Sequence, residues 1–380
     1  MRKIVIASDS FKGSLSSLEV ANAAAIGIRS VFPDCETVGL EVADGGEGTA
    51  AALGRALGGK PVKVMVSNPL GRKTCAEYCI SESGGQTTAI IEMSRASGLT
   101  LLKSSELDPL FTSTYGTGEM ILDALDKGCR RFLIGIGGSA TNDGGTGMME
   151  ALGFRFKDAE GKPVTGLCGA RICRISCIDA GNVPGELLES EFLVICDVDT
   201  PFCGPEGAAA VFGPQKGATP ETVAVLEEGM QNLNGIMIRD HGIDLNTIKG
   251  SGAAGGLGGA FHVFLNARLE KGIDMVLDAI GFDDAVKDAD LIITGEGRID
   301  CQTSRGKVVS GIAKRAERYG IPVIAIAGTV ELDDDQIRKN GLTAAYPVGP
   351  HPQNESDLEY AMRPEVASRN ISETVAKALG

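Results

Sequence analysis

The sequence predicts a doubly wound α/β fold, one parallel sheet carrying a second, inserted α+β domain. Three observations lead there. Short apolar strands alternate with helical stretches at both ends of the chain, and the middle follows a different pattern. Charged, glycine-rich loops come directly after the strands of the two ends. At 380 residues the chain is long enough for two domains and a well-buried core.

The first strand is KIVIAS, residues 3–8. A helix follows, opened by a capping box with Ser16 as N-cap and Glu19 three residues on. Its apolar positions Val20, Ala24, Ile28 and Val31 keep a helical period. A second strand, near residues 37–42, runs into ADGGEG. At the other end, LIIT (291–294) is a short buried strand ending in GEGRID. A helix over about 307–318 leads to IPVIAIAG, then to a second helical stretch and TAAYPVG. The two ends together supply five strands for one sheet. Between them, residues 66–90 alternate like short strands, and Thr219-Pro220-Glu221 opens a long helix with Thr as N-cap and Pro in the first turn. The expected division is residues 1–65 with 287–380 as a discontinuous flavodoxin-like domain, and 66–286 as the inserted one.

Open parallel sheets bind ligands beyond the carboxyl ends of their strands, where the strand order reverses. SDSFKGS, ADGGEGT and GEGRID each follow a strand and so share one edge. In a flavodoxin-like 2-1-3-4-5 order, SDSFKGS and GEGRID flank the reversal, which places the expected active site in the cleft facing the inserted domain.

Composition narrows the function. A formal net charge of −14 argues against nucleic acid or an anionic membrane surface as partner. Any anionic substrate must therefore meet local positive groups. The N-terminal apolar run is too short for a signal-peptide core, no apolar run reaches membrane-spanning length, and ten cysteines without a secretion signal suit reduced thiols, so a cytoplasmic location is expected. No Cys-x-x-Cys occurs, and Cys168, Cys173 and Cys177 lack the close pairing of a zinc site. A homo-oligomer is compatible with the sequence.

The richest motif is GIGGSATNDGGTG, residues 135–147, after the apolar run RFLI. As a dinucleotide fingerprint it fails, because Gly135-x-Gly137-x-x-Ala140 meets turn residues where a helix must start. Gly250-x-Gly252-x-x-Gly255 follows a poor strand and reads better as a tight helix-packing site or a loop. Gly54–Lys60 imitates a P-loop, but Pro61 stands where a magnesium-binding hydroxyl is needed, and a helix end with a turn is expected there. What remains of the glycine loop is a run of backbone N–H groups, with Ser139, Thr141 and Asn142 adding donors, that suits phosphate oxygens. Asp143 within it offers an oxygen to Mg²⁺.

EFLVICDVD ends in Asp197 and Asp199, two apart on an expected strand and hence on one face, suited to a cation or to a base beside a metal. The required positive groups are Lys12, Lys216, Arg298, Arg305 and Lys307, each in a glycine-containing loop. His241, His262 and His351 lie outside all these motifs, which weakens histidine-based chemistry.

SDSFKGS, VADGGEGT, GIGGSATNDGG, CDVDTP with GPQKGA, GSGAAGGLGGA and TGEGRIDCQTSRGK, in this order, resemble the type-1 bacterial glycerate kinases over almost the whole chain. The resemblance implies ATP-dependent phosphorylation of D-glycerate, usually to 2-phosphoglycerate, with 3-phosphoglycerate the alternative product. Thr200 departs from the Asn common in relatives after the CDVD segment. On this reading Gly137, Gly138, Ser139, Thr141, Asn142 and Gly144 hold the phosphates of ATP, and Asp143 and Asp199 hold Mg²⁺. Asp197 is the expected base, with Asp9 the second choice. Lys12 and Lys216 stabilise the transferring group, Arg298 binds the glycerate carboxylate through its planar fork, and Asp9, Ser10 and Asp44 receive the hydroxyls. The competing classes are a nicotinamide-dependent hydroxy-acid oxidoreductase and a non-catalytic sugar-acid sensor.

Overall fold

A computed structural model describes residues 2–11, 13–42, 49–83, 85–300, 308–350, 352 and 354–380. Strand β1 (Lys3–Ser8), helix α1 (Ser17–Val31) and strand β2 (Glu36–Glu41) open the chain. Helix α2 (Thr49–Ala56) leads into β3 (Lys60–Ser67), β4 (Lys73–Ser83) and β5 (Gln86–Glu92). Helices α3 (Ser94–Ser97) and α4 (Tyr115–Asp126) precede β6 (Arg131–Gly135), and α5 (Thr146–Ala151) follows it. A small antiparallel sheet, β7 (Arg155–Lys157), β8 (Pro163–Val164) and β9 (Cys177–Asp179), comes next, then α6 (Gly185–Leu188) and β10 (Glu191–Ile195). Helices α7 (Ala208–Phe212), α8 (Pro220–His241) and α9 (Ala253–Phe264) lead to β11 (Arg268–Glu270). The chain then returns through α10 (Gly272–Ala279), α11 (Phe282–Val286), β12 (Leu291–Ile299), α12 (Val308–Glu317) and β13 (Val323–Val330). It closes with α13 (Asp334–Lys339), β14 (Ala344–Pro347), α14 (Glu355–Ala361) and α15 (Pro364–Leu379).

Two compact units result, Met1–Asp44 with Lys271–Gly380, and Gly45–Glu270. The divisions fall earlier than residues 66 and 287 because β3 hydrogen-bonds along its length to β4, which ties the segment after residue 45 to the second unit. Likewise α10 packs with α11 and α12 of the first unit.

The first unit holds a five-stranded, all-parallel sheet in the order β14-β13-β12-β1-β2, the flavodoxin-like 2-1-3-4-5 arrangement. Its three central strands, β13, β12 and β1, carry buried apolar runs because the middle of a parallel sheet is covered on both faces. Ile4 and Ile6 join Ile293, Ile324 and Ile326 in one cluster with Ile28 of α1 and Ile371 and Val375 of α15. Alpha-carbon contact between those helices is close: a Cβ at Gly27 of α1 would overlap the Ser372 carbonyl of α15. The capping box is present, Ser16 Oγ accepting from the Glu19 N–H and the Glu19 carboxylate from the Ser16 N–H. Arg315 of α12, itself buried, ties α10 and α11 through Asp278 and, at 2.7 Å, Asp283, and its guanidinium holds the Asp283 carboxyl below the usual range.

One element differs from its expected length. β12 does not stop at Thr294 but continues through GEGRI, because Glu296 and Arg298 keep pairing with Ala327 and Thr329 of β13.

The second unit holds a six-stranded sheet, β11-β10-β6-β5-β4-β3. β3, β4 and β5 are antiparallel neighbours, as the alternating segment suggests, while β5, β6, β10 and β11 run parallel. Register partners Phe132 and Phe192 stack face to face at 4.6 Å in the core. Thr219 caps α8 as its sequence indicates, its hydroxyl accepting from Thr222 N–H, with Pro220 in the first turn. The GSGAAGGLGGA segment enters α9 and is a packing site: a Cβ at Gly259 would stand 3.1 Å from the Phe202 ring. Among the described residues, no helix is long and apolar enough to cross a membrane.

Candidate active site

In the second unit, Glu92, Gly135 and Ile195 are register partners at the carboxyl ends of β5, β6 and β10. Three segments therefore leave the sheet side by side: Ser94-Arg95, Gly137-Gly138 and Asp197–Asp199. Gly138 has φ +73° and is exposed, with Gly137 half-buried. A Cβ at Gly138 would stand 3.3 Å from Ser94 Cβ, so a bare backbone is what fits there. Asp197 and Asp199 are exposed and lie just beyond β10, which ends at Ile195; they belong to the loop and not to the strand.

Past Gly138 the glycine loop turns inward. Ser139, Thr141, Asn142 and Asp143 are all buried. Several of the N–H groups expected to meet phosphate have protein partners: Ala140 donates to Ser97 O, Thr141 to Ser139 Oγ, and Gly144 to Gly255 O. Asp143 accepts from the N–H and hydroxyl of Thr114 and from the N–H groups of Gly145 and Gly147. Burial pushes its carboxyl up, and these four hydrogen bonds pull against that. So enclosed, Asp143 serves as an internal anchor for the loop. Lys216 is likewise enclosed. It is 2% exposed, its ammonium donates to Thr141 O at 2.6 Å, and burial pulls it down to about 7 against the opposing charge of Asp143. It braces the loop from within. Asn142 is different: its amide is buried with neither oxygen nor nitrogen hydrogen-bonded.

The first unit carries a pocket of about 360 Å³ at the carboxyl edge of its sheet. Asp9 and Ser10, just past β1, and Glu296 and Arg298, on β12, line it together with Phe11, Thr329 and Asn370. Asp9 and Glu296 are 8% and 7% exposed. Asp9 accepts from the Ser10 N–H at 2.7 Å. Arg298 is mostly exposed, donates to Glu331 at 2.6 Å and lies 3.7 Å from Asp300. Lys12, Asp44, Arg305 and Lys307 lie outside the described residues.

The structure thus groups Asp9, Ser10 and Arg298 in one unit, and Gly137, Gly138, Asp197 and Asp199 in the other. Sequence reasoning missed Glu296, although it stands inside the quoted GEGRID. It also missed Asn370, which no motif marks because its place depends on how α15 packs, and Ser94, which is recognisable only once β5 and β6 are neighbours.

A bare glycine turn beside paired carboxylates at the ends of parallel strands suits the handling of phosphate groups. The family model described as "Glycerate kinase family" matches residues 4–379. A glycerate kinase of Haemophilus influenzae is 47% identical over 91% of this chain and 91% of its own length. The glycerate kinase of Halalkalibacterium halodurans is 44% identical, and the glycerate 2-kinase of Escherichia coli 42%, each over 98% of both chains. A crystal structure of a protein designated glycerate kinase 2, from Salmonella typhimurium LT2, superposes with a TM-score of 0.84 at 43% identity, covering 100% of this chain and 97% of that one. The chain belongs to the glycerate kinase family, and it is an enzyme with kinase activity.

Proposed function

We propose that the protein transfers the γ-phosphoryl group of ATP to the 2-hydroxyl of D-glycerate, giving 2-phosphoglycerate and ADP. The observation that carries this reading is the register pairing of Gly135 with Ile195, which sends the Gly137-Gly138 turn and the Asp197–Asp199 loop out of the sheet together. The named Escherichia coli relative supports the choice of hydroxyl.

The exposed N–H groups of the glycine turn receive phosphate oxygens, and Asn142 adds amide donors that the protein itself leaves unused. Asp197 accepts the hydroxyl proton as the glycerate oxygen bonds to phosphorus and the bond to the ADP oxygen breaks. Among the described residues no group of three or more His, Cys, Asp and Glu gathers to hold a metal. The two carboxylates of Asp197 and Asp199 fit an ion that arrives with the nucleotide, since Mg²⁺ is commonly held by one or two carboxylates and the substrate phosphates. Asp199 would hold it, and bound Mg²⁺ supplies neutralisation of phosphate charge. The described cysteines are free thiols, which suits the cytoplasm where ATP is abundant.

The test is phosphorus NMR of the protein with Mg·ATP and D-glycerate, against a control lacking glycerate. A glycerate-dependent phosphomonoester signal coupled to one proton is expected. Coupling to two protons would move the product to the 3-phosphate. Folded protein that binds ATP and gives no such signal would overturn the reading.

A further inference from the structure

We propose that the left-handed turn at residues 254–256, in the start of α9, is the second half of the phosphate-binding element, with Ala254 a positioning residue for ATP. The inference rests on the kinase reading, goes beyond the packing role of GSGAAGGLGGA, and concerns the second unit alone.

The two glycine-rich segments lie against each other in step. Ser139 Oγ stands 3.5 Å from the Ala254 carbonyl oxygen. The Gly144 N–H donates to Gly255 O at 2.9 Å. A Cβ at Gly255 would overlap the Thr141 carbonyl, and one at Gly256 would stand 2.8 Å from Gly144 Cα. Further along, a Cβ at Gly145 would overlap Ala260 Cβ. Residues 139–145 thus run beside residues 254–260. The carbonyls of Ala254 and Gly255 both face this loop. In an extended chain, consecutive carbonyls point opposite ways, so a helical turn is what brings two of them to one side.

The backbone that achieves this is strained. Left-handed geometry drives the Cβ of an L residue toward the following carbonyl. Glycine escapes, and Gly255 and Gly256 hold φ of +69° and +94°. Ala254 does not escape, yet holds φ +53° and ψ +38°. Among the described residues the other non-glycine with positive φ is Asn266, a type that tolerates this region. Such strain persists where the surroundings over-determine it, most often at functional sites. Alanine also gives the turn something glycine cannot. Its left-handed well is small and that of glycine broad, so the peptide at Ala254 is fixed before ATP arrives. A loop held in advance has less freedom to lose on binding. The half-buried Ala254 therefore steadies Ser139, next in sequence to the exposed Gly138 of the phosphate turn.

The experiment measures Mg·ATP binding by equilibrium dialysis without glycerate, KM for D-glycerate, and the urea midpoint. It compares the full chain with Ala254→Gly and Ala254→Asn. In Ala254→Gly the strain relieved and the backbone freedom gained oppose each other, so the urea midpoint should move little. The Kd for ATP should still rise roughly three- to fivefold, with KM for glycerate changed by less than about twofold. Ala254→Asn restores a side chain that tolerates the left-handed well and should bring the Kd back to within about twofold of the parent. An unchanged Kd in Ala254→Gly would overturn the proposal, as would a rise confined to glycerate. The same rise in Ala254→Asn, with or without a fall in the urea midpoint, would make the methyl and not the backbone responsible and overturns it too. So would failure of Ala254→Gly to fold, since glycine takes this geometry without strain. If the parent binds ATP but phosphorylates no glycerate, and Ala254→Gly alone weakens ATP binding, the positioning role stands while the glycerate reading falls.

Discussion

Asp197 and Asp199 stand exposed where β10 ends, and the proposed chemistry turns on the first of them. Replacing Asp197 by Asn removes a proton acceptor and keeps the shape, so kcat should fall by roughly 10²–10⁴ with the fold intact. Steady-state kinetics with circular dichroism checks this, and near-parental turnover would remove Asp197 from the role. Lys216 makes a different kind of prediction. Burial pulls its ammonium from 10.5 to about 7, so between those values the unfolded chain holds a proton that the folded one has lost. Its contribution to stability therefore rises with pH across that window and is least favourable below it. Lys216→Met should flatten the stability profile between about pH 7 and 10 in urea unfolding; an unaltered slope would mean that Lys216 is not titrating in the fold. Residue types such as these were readable in the sequence, but their burial was not. Asp143 is satisfied by Thr114, 29 positions away, and Lys216 by Thr141, 75 positions away. Separations of that length leave no local pattern.

Among the elements, those with local physics were legible. The capping box of α1, the Thr219-Pro220 start of α8 and the apolar strands of the first sheet all stand where short-range chemistry puts them. β12 ran past its apolar segment because pairing with β13, not hydropathy, sets where it ends. The parallel half of the second sheet was hidden for a similar reason, since β5, β6 and β10 meet only after long crossovers. The approach to α9 carries the most demanding backbone: Ala254, Gly255 and Gly256 all adopt positive φ in succession. A Cβ at Gly255, with φ +69°, would overlap the Thr141 carbonyl that Lys216 also engages. Gly255→Ala should cost about 2 kcal/mol or more in stability, through strain and that overlap. Its KM for ATP should rise as well, because the glycine loop must shift. Urea unfolding and initial rates test both, and a variant with parental stability would show that the segment can yield without cost.

At the scale of the molecule, charge dominates. With a formal net charge of −14, the folded chain repels itself, and salt should relieve this once the Debye length shortens to about 10 Å near 0.1 M. The urea midpoint should thus rise as sodium chloride is added from low ionic strength. A falling midpoint would mean that ion pairs such as those of Arg315 with Asp278 and Asp283 outweigh the repulsion.

The sheet of the first unit also fixes an order of events at the ribosome. β1 lies between β2 and β12, and its pairing of Val5 with Ile292 joins segments made about 290 residues apart. At about 5–20 residues per second, the opening strand and helix wait roughly a quarter of a minute to a minute for the strands that complete their sheet. The unit Gly45–Glu270 is contiguous and finishes emerging before then. The N-terminal apolar strand therefore passes its first moments without its central neighbour, while the inserted unit already has all the chain it needs to fold.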